Sequence, residues 1–236
     1  MLPIVVLAGG LATRLRPVSE TIPKSLIPIN DAPFVMHQLA LLKKSGFKNV
    51  HFCLGYLGQL VEDAILQSEY INSINITFSY DGDKLLGTGG AVRKILNELP
   101  DNFFITYGDS YLDIDYKEIE NYFNRNKKND TTSLMTVFKN EGKWDTSNVI
   151  FENNKILLYS KRIKDPKMQY IDYGLGILAK NNFKGFPENE NFDIAEIYEK
   201  LSIDKNLLGL ETIRRFYEVG SFSGIEDISN YIKLKK

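Results

Sequence analysis

The sequence predicts an α/β fold in which helices cover both faces of a mostly parallel sheet. Two observations lead to this prediction. As far as Phe138, apolar strand-like runs alternate with amphipathic helical segments, which is the pattern of parallel sheets that are covered on both sides. In addition, 43% of the 236 residues are apolar and 12% are aromatic, so the chain can bury the core of one sizeable domain.

The elements of the first half follow this alternation in order. Strands are predicted over residues 4–8, 49–54, 75–80, 103–107 and 133–138, and helices over 33–45, 57–67, 89–96 and 117–126. Gly46 directly follows the first of these helices and is expected to end it. This order of elements is typical of a Rossmann-like sheet.

Beyond Lys139 the pattern becomes less regular. Strands over 149–152 and 155–159 flank Asn153 and Asn154, a pair that favours a hairpin turn. Further strands are predicted over 170–178 and 216–219, and helices over 194–202 and 227–234. We therefore predict one domain over residues 1–236, with a regular half over 1–138 and an irregular half over 139–236.

The composition narrows the kinds of partner. Lysine and arginine number 29 against 30 acidic residues, and the net charge of -1 gives no general attraction to nucleic acid or to anionic membranes. Cys53 is the single cysteine and lies in a strand-like run, so we expect a buried residue and no internal disulfide. The N-terminal apolar run stops at Gly9, and no segment approaches the ~18 apolar residues of a membrane span. A small ligand and a cytoplasmic location are expected.

The segment LAGGLATRLRP, which begins at residue 7, carries the first functional signal. Gly9 and Gly10 follow the first strand, where open α/β sheets bind their ligands, and glycine lets backbone N–H groups approach phosphate oxygens. Thr13, Arg14 and Arg16 add a hydroxyl and two cations. The spacings of a P-loop and of a dinucleotide-binding loop are both absent. The segment therefore predicts a site for a phosphate chain.

Four further signals lie along the chain. Lys24 stands in IPKSLIPI at the entrance to a strand-like run, from which it could reach the same phosphates. The run LGTGGA opens a helix, and its glycines permit close approach of a base or ribose. Asp109 ends an apolar strand in YGDS, where an α/β enzyme places a magnesium ligand. Glu218 precedes Gly220 in the last predicted strand.

Together these motifs resemble the nucleotidylyltransferase family that activates sugar 1-phosphates, the NDP-sugar pyrophosphorylases. LAGGLATRLRP, IPKSLIPI, LGTGGA and YGDSYLDID carry the resemblance, which runs from Met1 to about Tyr231. It implies the α/β fold of the nucleotide-diphospho-sugar transferase type, in a short form without a β-helix domain. The nucleotide would bind in the 1–138 half and the acceptor in the 139–236 half.

The resemblance also implies site residues. The nucleotide site would comprise Leu7, Ala8, Gly9, Gly10, Thr13, Arg14, Gly87, Thr88, Gly89 and Asp109, and the catalytic residues would be Arg14, Lys24 and Asp109. The acceptor site would comprise Lys161, Asp172, Tyr173 and Gly174, and Mg²⁺ would be held by Asp109 and Glu218. Three positions depart from the family pattern: Ala12 for a glycine, Ser160 for a glutamate before the acceptor lysine, and Glu218 for an aspartate. The last two leave the acceptor and the second metal ligand open.

The implied reaction is attack by an acceptor phosphate oxygen on the α-phosphorus of a nucleoside triphosphate, with release of pyrophosphate. The expected acceptor is a sugar 1-phosphate, whose NDP-sugar product would serve surface polysaccharide synthesis, and a homo-oligomer is one option. The first alternative is a CTP-dependent cytidylyltransferase with a phosphocholine-like or phosphoglutamine-like acceptor. The second is an inactive relative that senses nucleotides. Trp144 either caps the acceptor pocket or packs within a loop.

Overall fold

A computed structural model describes residues 1–10 and 21–235. Its strands are β1 (Ile4–Ala8), β2 (Pro28–Ile29), β3 (Ala32–Pro33), β4 (Asn49–Leu54), β5 (Asn75–Tyr80), β6 (Asn102–Tyr107), β7 (Ser110–Tyr111), β8 (Ser133–Lys139), β9 (Val149–Glu152), β10 (Lys155–Tyr159), β11 (Tyr170–Ala179), β12 (Leu207–Thr212) and β13 (Tyr217–Glu218). Its α-helices are α1 (Phe34–Ser45), α2 (Gly58–Leu66), α3 (Gly87–Lys94), α4 (Tyr116–Asn126), α5 (Ile194–Ile203) and α6 (Phe222–Lys235). No helix among these described residues is both long and apolar enough to cross a membrane.

A nine-stranded sheet runs through both halves of the chain in the order β5-β4-β1-β6-β11-β8-β12-β10-β9. Strands β5, β4, β1 and β6 are parallel, and β8 is parallel to β12. Strand β11 lies antiparallel between β6 and β8, so the sheet is mixed where the second half joins the first. The carboxyl ends of the four parallel strands of the first half therefore meet at one edge.

Helices cover the two faces of this sheet, as predicted. Buried side chains of α3 and α5 share one hydrophobic cluster with residues such as Val5 and Ile105. Those of α1, α2 and α4 pack on the opposite face with Val6 and Phe104. A third cluster joins α6 to α1 and to Val219. The predicted α/β class with helices on both faces is confirmed.

The structure contains four strands that are absent from the predicted elements: the two-residue strands β2, β3 and β7, and the longer β12. Strand β12 was not predicted, because its sequence LLGLET is interrupted by Gly209. A Cβ at Gly209 would lie 2.4 Å from the Phe151 ring, so a glycine is needed where β9 packs against β12. Helix α6 starts at Phe222 and not at residue 227. The predicted turn is confirmed, since Asn153 and Asn154 have φ values of 50° and 59°.

Candidate active site

A cavity of about 480 Å³ opens at the carboxyl edge of the parallel strands. This volume suits a ligand of nucleotide size. Eight of the predicted site residues line it: Leu7, Ala8, Gly9, Gly10, Lys24, Gly87, Thr88 and Asp109. The other lining residues were not predicted: Pro23, Ser25, Cys53, Asp81, Leu85, Ala91, Tyr107, Gly108 and Asn191. Thr13, Arg14 and Arg16 lie outside the described residues.

Asp109 is held at this edge by the close contact between β6 and β1. A Cβ at Gly108 would lie 2.6 Å from the Cβ of Ala8, so only glycine allows the two strand ends to pack together. The Gly108 N–H donates to Leu7 O at 2.8 Å, and the Ser25 hydroxyl donates to Gly108 O at 3.1 Å. These bonds fix the backbone immediately before Asp109.

Lys24 and Asp109 form an ion pair within the cavity. Lys24 Nζ lies 2.8 Å from Asp109 Oδ2, and the two side chains are 25% and 31% exposed. Lys24 begins a short 3-10 turn after Pro23, which places it opposite the end of β6. The pair sets a cation and a carboxylate side by side where the phosphates of a nucleotide are expected.

The inner part of the cavity is apolar, with one carboxylate beside it. Leu7, Cys53 and Ala91 are buried lining residues, and burial raises the pKa of the Cys53 thiol to about 12, so the thiol stays neutral. Asp81 follows β5, and its Oδ2 accepts from the Leu86 N–H at 3.2 Å. Burial also raises the pKa of Asp81. A flat ring in this part of the cavity would meet aliphatic walls and a carboxylate.

Gly87 and Gly89 allow α3 to pack closely against the segment that precedes α5. Gly87 has a φ of +68°, a left-handed conformation that favours glycine. Gly89 lies under Phe192, whose ring carbon Cε2 would be 2.2 Å from a Cβ at this position. Gly89 does not line the cavity. It allows the Gly89 N–H to donate to Phe192 O at 2.9 Å, while Phe192 N–H donates to Leu86 O at 3.1 Å.

The predicted acceptor lysine lies after β10 and is bound to a residue that the sequence reasoning missed. Lys161 Nζ lies 2.9 Å from Asp193 Oδ2, and both side chains are nearly half exposed. Asp193 is the N-cap of α5 and forms a capping box with Glu196. The spacing of an aspartate and a glutamate three residues apart before an apolar run could have revealed this cap from the sequence.

Asp172, Tyr173 and Gly174 lie on β11, next to β6. Asp172 and Gly174 line a small cavity of about 10 Å³, separate from the large one, and Asp172 Oδ1 accepts from the Gly174 N–H at 2.9 Å. Burial raises the pKa of Asp172 to about 6, although the Gly174 N–H and Lys161 lower it. Tyr173 is 2% exposed and belongs to the hydrophobic cluster on the other face, so its side chain lines neither cavity.

Glu218 lies beside Asp109 through backbone contacts. It pairs with Ser110 where β13 meets β7, and the Val219 N–H donates to Asp109 O at 3.0 Å. Its carboxylate accepts from the Gly220 N–H and, at 2.5 Å, from the hydroxyl of Ser221. A ligand role for Glu218 stays a prediction, and the structure adds a local role at the start of α6.

Trp144 packs against aromatic and cationic side chains. The Arg215 guanidinium lies 4.1 Å from the centre of the Trp144 ring, and the Phe216 ring meets it edge-on at 6.3 Å. Trp144 lines neither the large cavity nor the small one beside Asp172. Its packing agrees with the second of the two interpretations of this residue.

The sequence matches a known protein family and individual relatives. Residues 4–143, more than half of its length, match the family described as nucleotidyl transferase. The chain is 31% identical over 196 residues to the D-glycero-alpha-D-manno-heptose 1-phosphate guanylyltransferase of Campylobacter jejuni, covering 83% of this chain and 84% of the relative. It is 30% identical to the mannose-1-phosphate guanylyltransferase catalytic subunit beta of Xenopus tropicalis, covering 56% of this chain but only 38% of that relative.

Solved structures agree on the fold. HddC from Yersinia pseudotuberculosis superposes with a TM-score of 0.80 at 22% identity, over 98% of this chain and 100% of that one. A UDP-glucose pyrophosphorylase complexed with UDP-glucose gives a TM-score of 0.78 at 18% identity, over the full length of both chains. The predicted nucleotide-diphospho-sugar transferase type is therefore confirmed as the fold.

Proposed function

The chain belongs to the sugar-1-phosphate nucleotidyltransferase family, and we propose that its donor is GTP and its acceptor a sugar 1-phosphate of manno configuration. Enzymes of this family move a nucleoside monophosphate onto the phosphate of a sugar 1-phosphate and release pyrophosphate.

The carboxylate of Asp81 is the feature that supports guanine as the base. It lies at the cavity that Leu7, Cys53 and Ala91 line with apolar atoms, and a Cβ at Gly9 would be 3.6 Å from Asp81 Oδ2. An ionised carboxylate only accepts hydrogen bonds. Guanine presents two adjacent donors, N1–H and the 2-amino group, which match the two oxygens. Uracil and thymine offer one donor, N3–H, between two carbonyl oxygens, and cytosine and adenine offer one donor beside an acceptor.

The relatives support the same choice and suggest the acceptor. The Campylobacter jejuni and Xenopus tropicalis relatives are guanylyltransferases of D-glycero-α-D-manno-heptose 1-phosphate and of mannose 1-phosphate, two sugars that share the manno configuration. One structure of HddC is a complex with GMP-PN. We take mannose 1-phosphate and this heptose 1-phosphate as the candidate acceptors. The GDP-sugar could then supply surface polysaccharide synthesis in the cytoplasm.

The reaction requires that the two substrates be aligned and that their negative charges be neutralised. An acceptor phosphate oxygen forms the new bond to the α-phosphorus as the bond to the bridging oxygen breaks, and the electron pair leaves with pyrophosphate. The attacking phosphate needs no base because it is already anionic. Lys24 would stabilise the charge that develops on the pyrophosphate, together with Arg14 from the signature segment. Lys161 would bind the acceptor phosphate.

The carboxylates of two residues at this edge support the proposal of a magnesium ion. Asp109 is partly exposed on the cavity wall, and Glu218 lies on the neighbouring strand. Within residues 1–10 and 21–235, no group of three or more His, Cys, Asp or Glu side chains forms a metal cage. Magnesium needs none, because one or two carboxylates with phosphate and water complete its coordination. Asp109 and Glu218 would hold the ion, which would neutralise phosphate charge when bound.

The test is a grid of the four ribonucleoside triphosphates against both sugar phosphates, read by pyrophosphate release, for the wild type and for Asp81→Asn. We expect GTP to be preferred and Asp81→Asn to lower kcat/KM for GTP on the order of a hundredfold, since an amide would set its NH₂ against a guanine donor. Asp83→Asn, an exposed aspartate of the same loop, is the control. A preference for CTP, or an unchanged preference for GTP in Asp81→Asn, would overturn the choice of base.

A further inference from the structure

The carboxylate of Asp193 joins three separate parts of the chain. Its Oδ1 accepts from the Ala195 N–H at 3.0 Å, which caps α5, and from the Thr88 hydroxyl at 2.9 Å. Its Oδ2 accepts from Lys161 Nζ at 2.9 Å. Thr88 belongs to α3 beside the nucleotide cavity, and Lys161 follows β10 in the second half. One side chain therefore links the loop that lines the donor cavity to the predicted acceptor lysine.

The link on the donor side is stiff. The Thr88 hydroxyl donates to Asp193 and also accepts from the Ile194 N–H at 2.9 Å, so its hydrogen and one lone pair are engaged with α5. Backbone bonds between Gly89 and Phe192 join the same two segments. Thr88 thus lines the donor cavity while its hydroxyl anchors the N-terminus of α5. Asp193 is consequently fixed relative to the donor cavity.

Lys161, by contrast, depends on Asp193 for its position. Its side chain is 47% exposed, and a free lysine of this kind samples many rotamers, which costs binding energy when it must meet a phosphate in one place. Burial by itself would raise the pKa of Asp193, but the bonds from Ala195, Lys161 and Thr88 outweigh it and lower that pKa. Asp193 is therefore an ionised partner throughout the neutral range.

We propose that Asp193 is a positioning residue, which holds the Lys161 ammonium at a fixed place relative to the donor cavity so that the acceptor phosphate is bound in line with the α-phosphate. Of the three hydrogen bonds that the Asp193 side chain accepts, those from Ala195 and Thr88 come from neutral donors and do not depend on its charge. The proposal rests on the proposed function, because it takes Lys161 as the group that binds the acceptor phosphate.

Asp193→Asn tests this role with little change of fold. Asparagine is as good an N-cap as aspartate, and its amide oxygen can still accept from Thr88 and Ala195. The negative charge that attracts the Lys161 ammonium is lost. We expect the acceptor KM to rise roughly threefold to tenfold, as for loss of a partly exposed ion pair, with the KM for GTP and the melting temperature nearly unchanged. Asp204→Asn removes the partner of Lys200 at the other end of α5 and is the matched control.

A double-mutant cycle tests whether Asp193 affects the acceptor KM through Lys161. Kinetics use GTP with mannose 1-phosphate or the heptose 1-phosphate, whichever the wild type uses better. In a Lys161→Ala background, Asp193→Asn should have no further effect on the acceptor KM. An unchanged or lowered acceptor KM in Asp193→Asn, or an equal rise in the Lys161→Ala background, would overturn the proposal. If Lys161→Ala alone leaves the acceptor KM unchanged, the role of Lys161 fails, and the proposal for Asp193 fails with it.

A measurement without substrate separates the two proposals. Acetylation of Lys161 by acetic anhydride, followed by peptide mass spectrometry, should be faster in Asp193→Asn, because an ion-paired ammonium is protected. The rate at Lys200 should respond to Asp204→Asn and not to Asp193→Asn. If neither sugar phosphate is used, the proposed acceptors are wrong. An unchanged acetylation rate at Lys161 in Asp193→Asn would, independently of that result, overturn the proposal that Asp193 positions this lysine.

Discussion

The ammonium of Lys24 lies 2.8 Å from Asp109 Oδ2, and both side chains line the cavity at the carboxyl edge of the sheet. The two opposite charges neutralise each other. An arriving triphosphate offers Lys24 several competing oxygens, and a magnesium ion offers Asp109 a competing cation. We therefore expect the pair to separate when the donor binds, with Lys24 turning to the phosphates.

Lys24→Ala should slow turnover more than it weakens GTP binding. The negative charge on the leaving pyrophosphate grows as the bond breaks, so a cation there contributes most in the transition state, about 2–4 kcal/mol for one well-placed group. Single-turnover rates and GTP binding by calorimetry give the two quantities. Lys200→Ala, which breaks the exposed pair with Asp204, is the control and should behave as the wild type. Near-normal turnover in Lys24→Ala would remove this lysine from the proposed catalytic residues.

Gly89→Ala should destabilise the protein because the new methyl group would enter the ring of Phe192. Phe192 is buried and stacks on Phe186 at 4.7 Å, so it has little freedom to move. Overpacking of this kind costs about 1–3 kcal/mol in the free energy of unfolding, measurable by urea denaturation. The double variant Gly89→Ala with Phe192→Leu should recover part of the loss. Gly10→Ala, where a Cβ would have no atom of the described part of the chain within 4 Å, should leave stability unchanged, and equal losses at both glycines would refute the steric argument.

The sequence predicted the donor side better than the acceptor side for a physical reason. Gly9, Gly10, Lys24 and Asp109 lie in short segments at the ends of parallel strands, and the α/β rule alone brings such ends together. Asp193 meets Thr88 across 105 positions, and no local pattern reports that contact. Asp81 stands in a loop with a second aspartate, so only the fold shows which of them lines the cavity.

Strand β11 illustrates the same limit. The alternation along a strand predicts that Asp172 and Tyr173 face opposite sides, but not which side is the core. The structure places Tyr173 in the core, where its hydroxyl has no partner among the described residues. Gly174, with a φ of +92°, accompanies an irregularity in the pairing of β11 with β8.

Asp172→Asn should stabilise the protein in a pH-dependent way. The pKa of Asp172 is raised by burial from 3.8 to about 6, so the unfolded chain ionises at lower pH than the folded one. The stability contributed by this group therefore falls as the pH rises between about 4 and 6, and the full cost of the buried charge is present above that window. The gain in melting temperature of Asp172→Asn over the wild type should be larger at pH 7.5 than at pH 5.

Two checks accompany this prediction. The exposed Asp101→Asn should show no such pH-dependent difference in melting temperature. If Asp172 contacts the acceptor, the stabilised variant should also have a raised acceptor KM, a trade of activity for stability. An equal or smaller gain at pH 7.5 than at pH 5 would contradict the raised pKa.

Glu218→Gln tests whether this side chain shares the metal with Asp109. The Val219 N–H to Asp109 O bond places both carboxylate-bearing segments at one strand end, and Lys24 Nζ would lie 3.4 Å from a Cβ at Gly220. Asp109→Asn should nearly abolish turnover with little change in melting temperature. Glu218→Gln should slow turnover and raise the half-saturating magnesium concentration, because the amide binds magnesium more weakly than the carboxylate.

The contacts of Glu218 supply a way to separate its two roles. Its carboxylate binds the Gly220 N–H and the hydroxyl of Ser221, which in turn accepts from the Gly224 N–H at 3.0 Å at the first turn of α6. Ser221→Ala removes the two bonds of its hydroxyl, to Glu218 and from Gly224, without removing the carboxylate, so it should lower the melting temperature and leave the magnesium titration unchanged. Glu218→Asp keeps the charge and should retain appreciable activity. If Glu218→Gln lowers only the melting temperature and binds magnesium as the wild type does, Glu218 only stabilises the start of α6. Of these two carboxylates, Asp109 alone would then bind the metal.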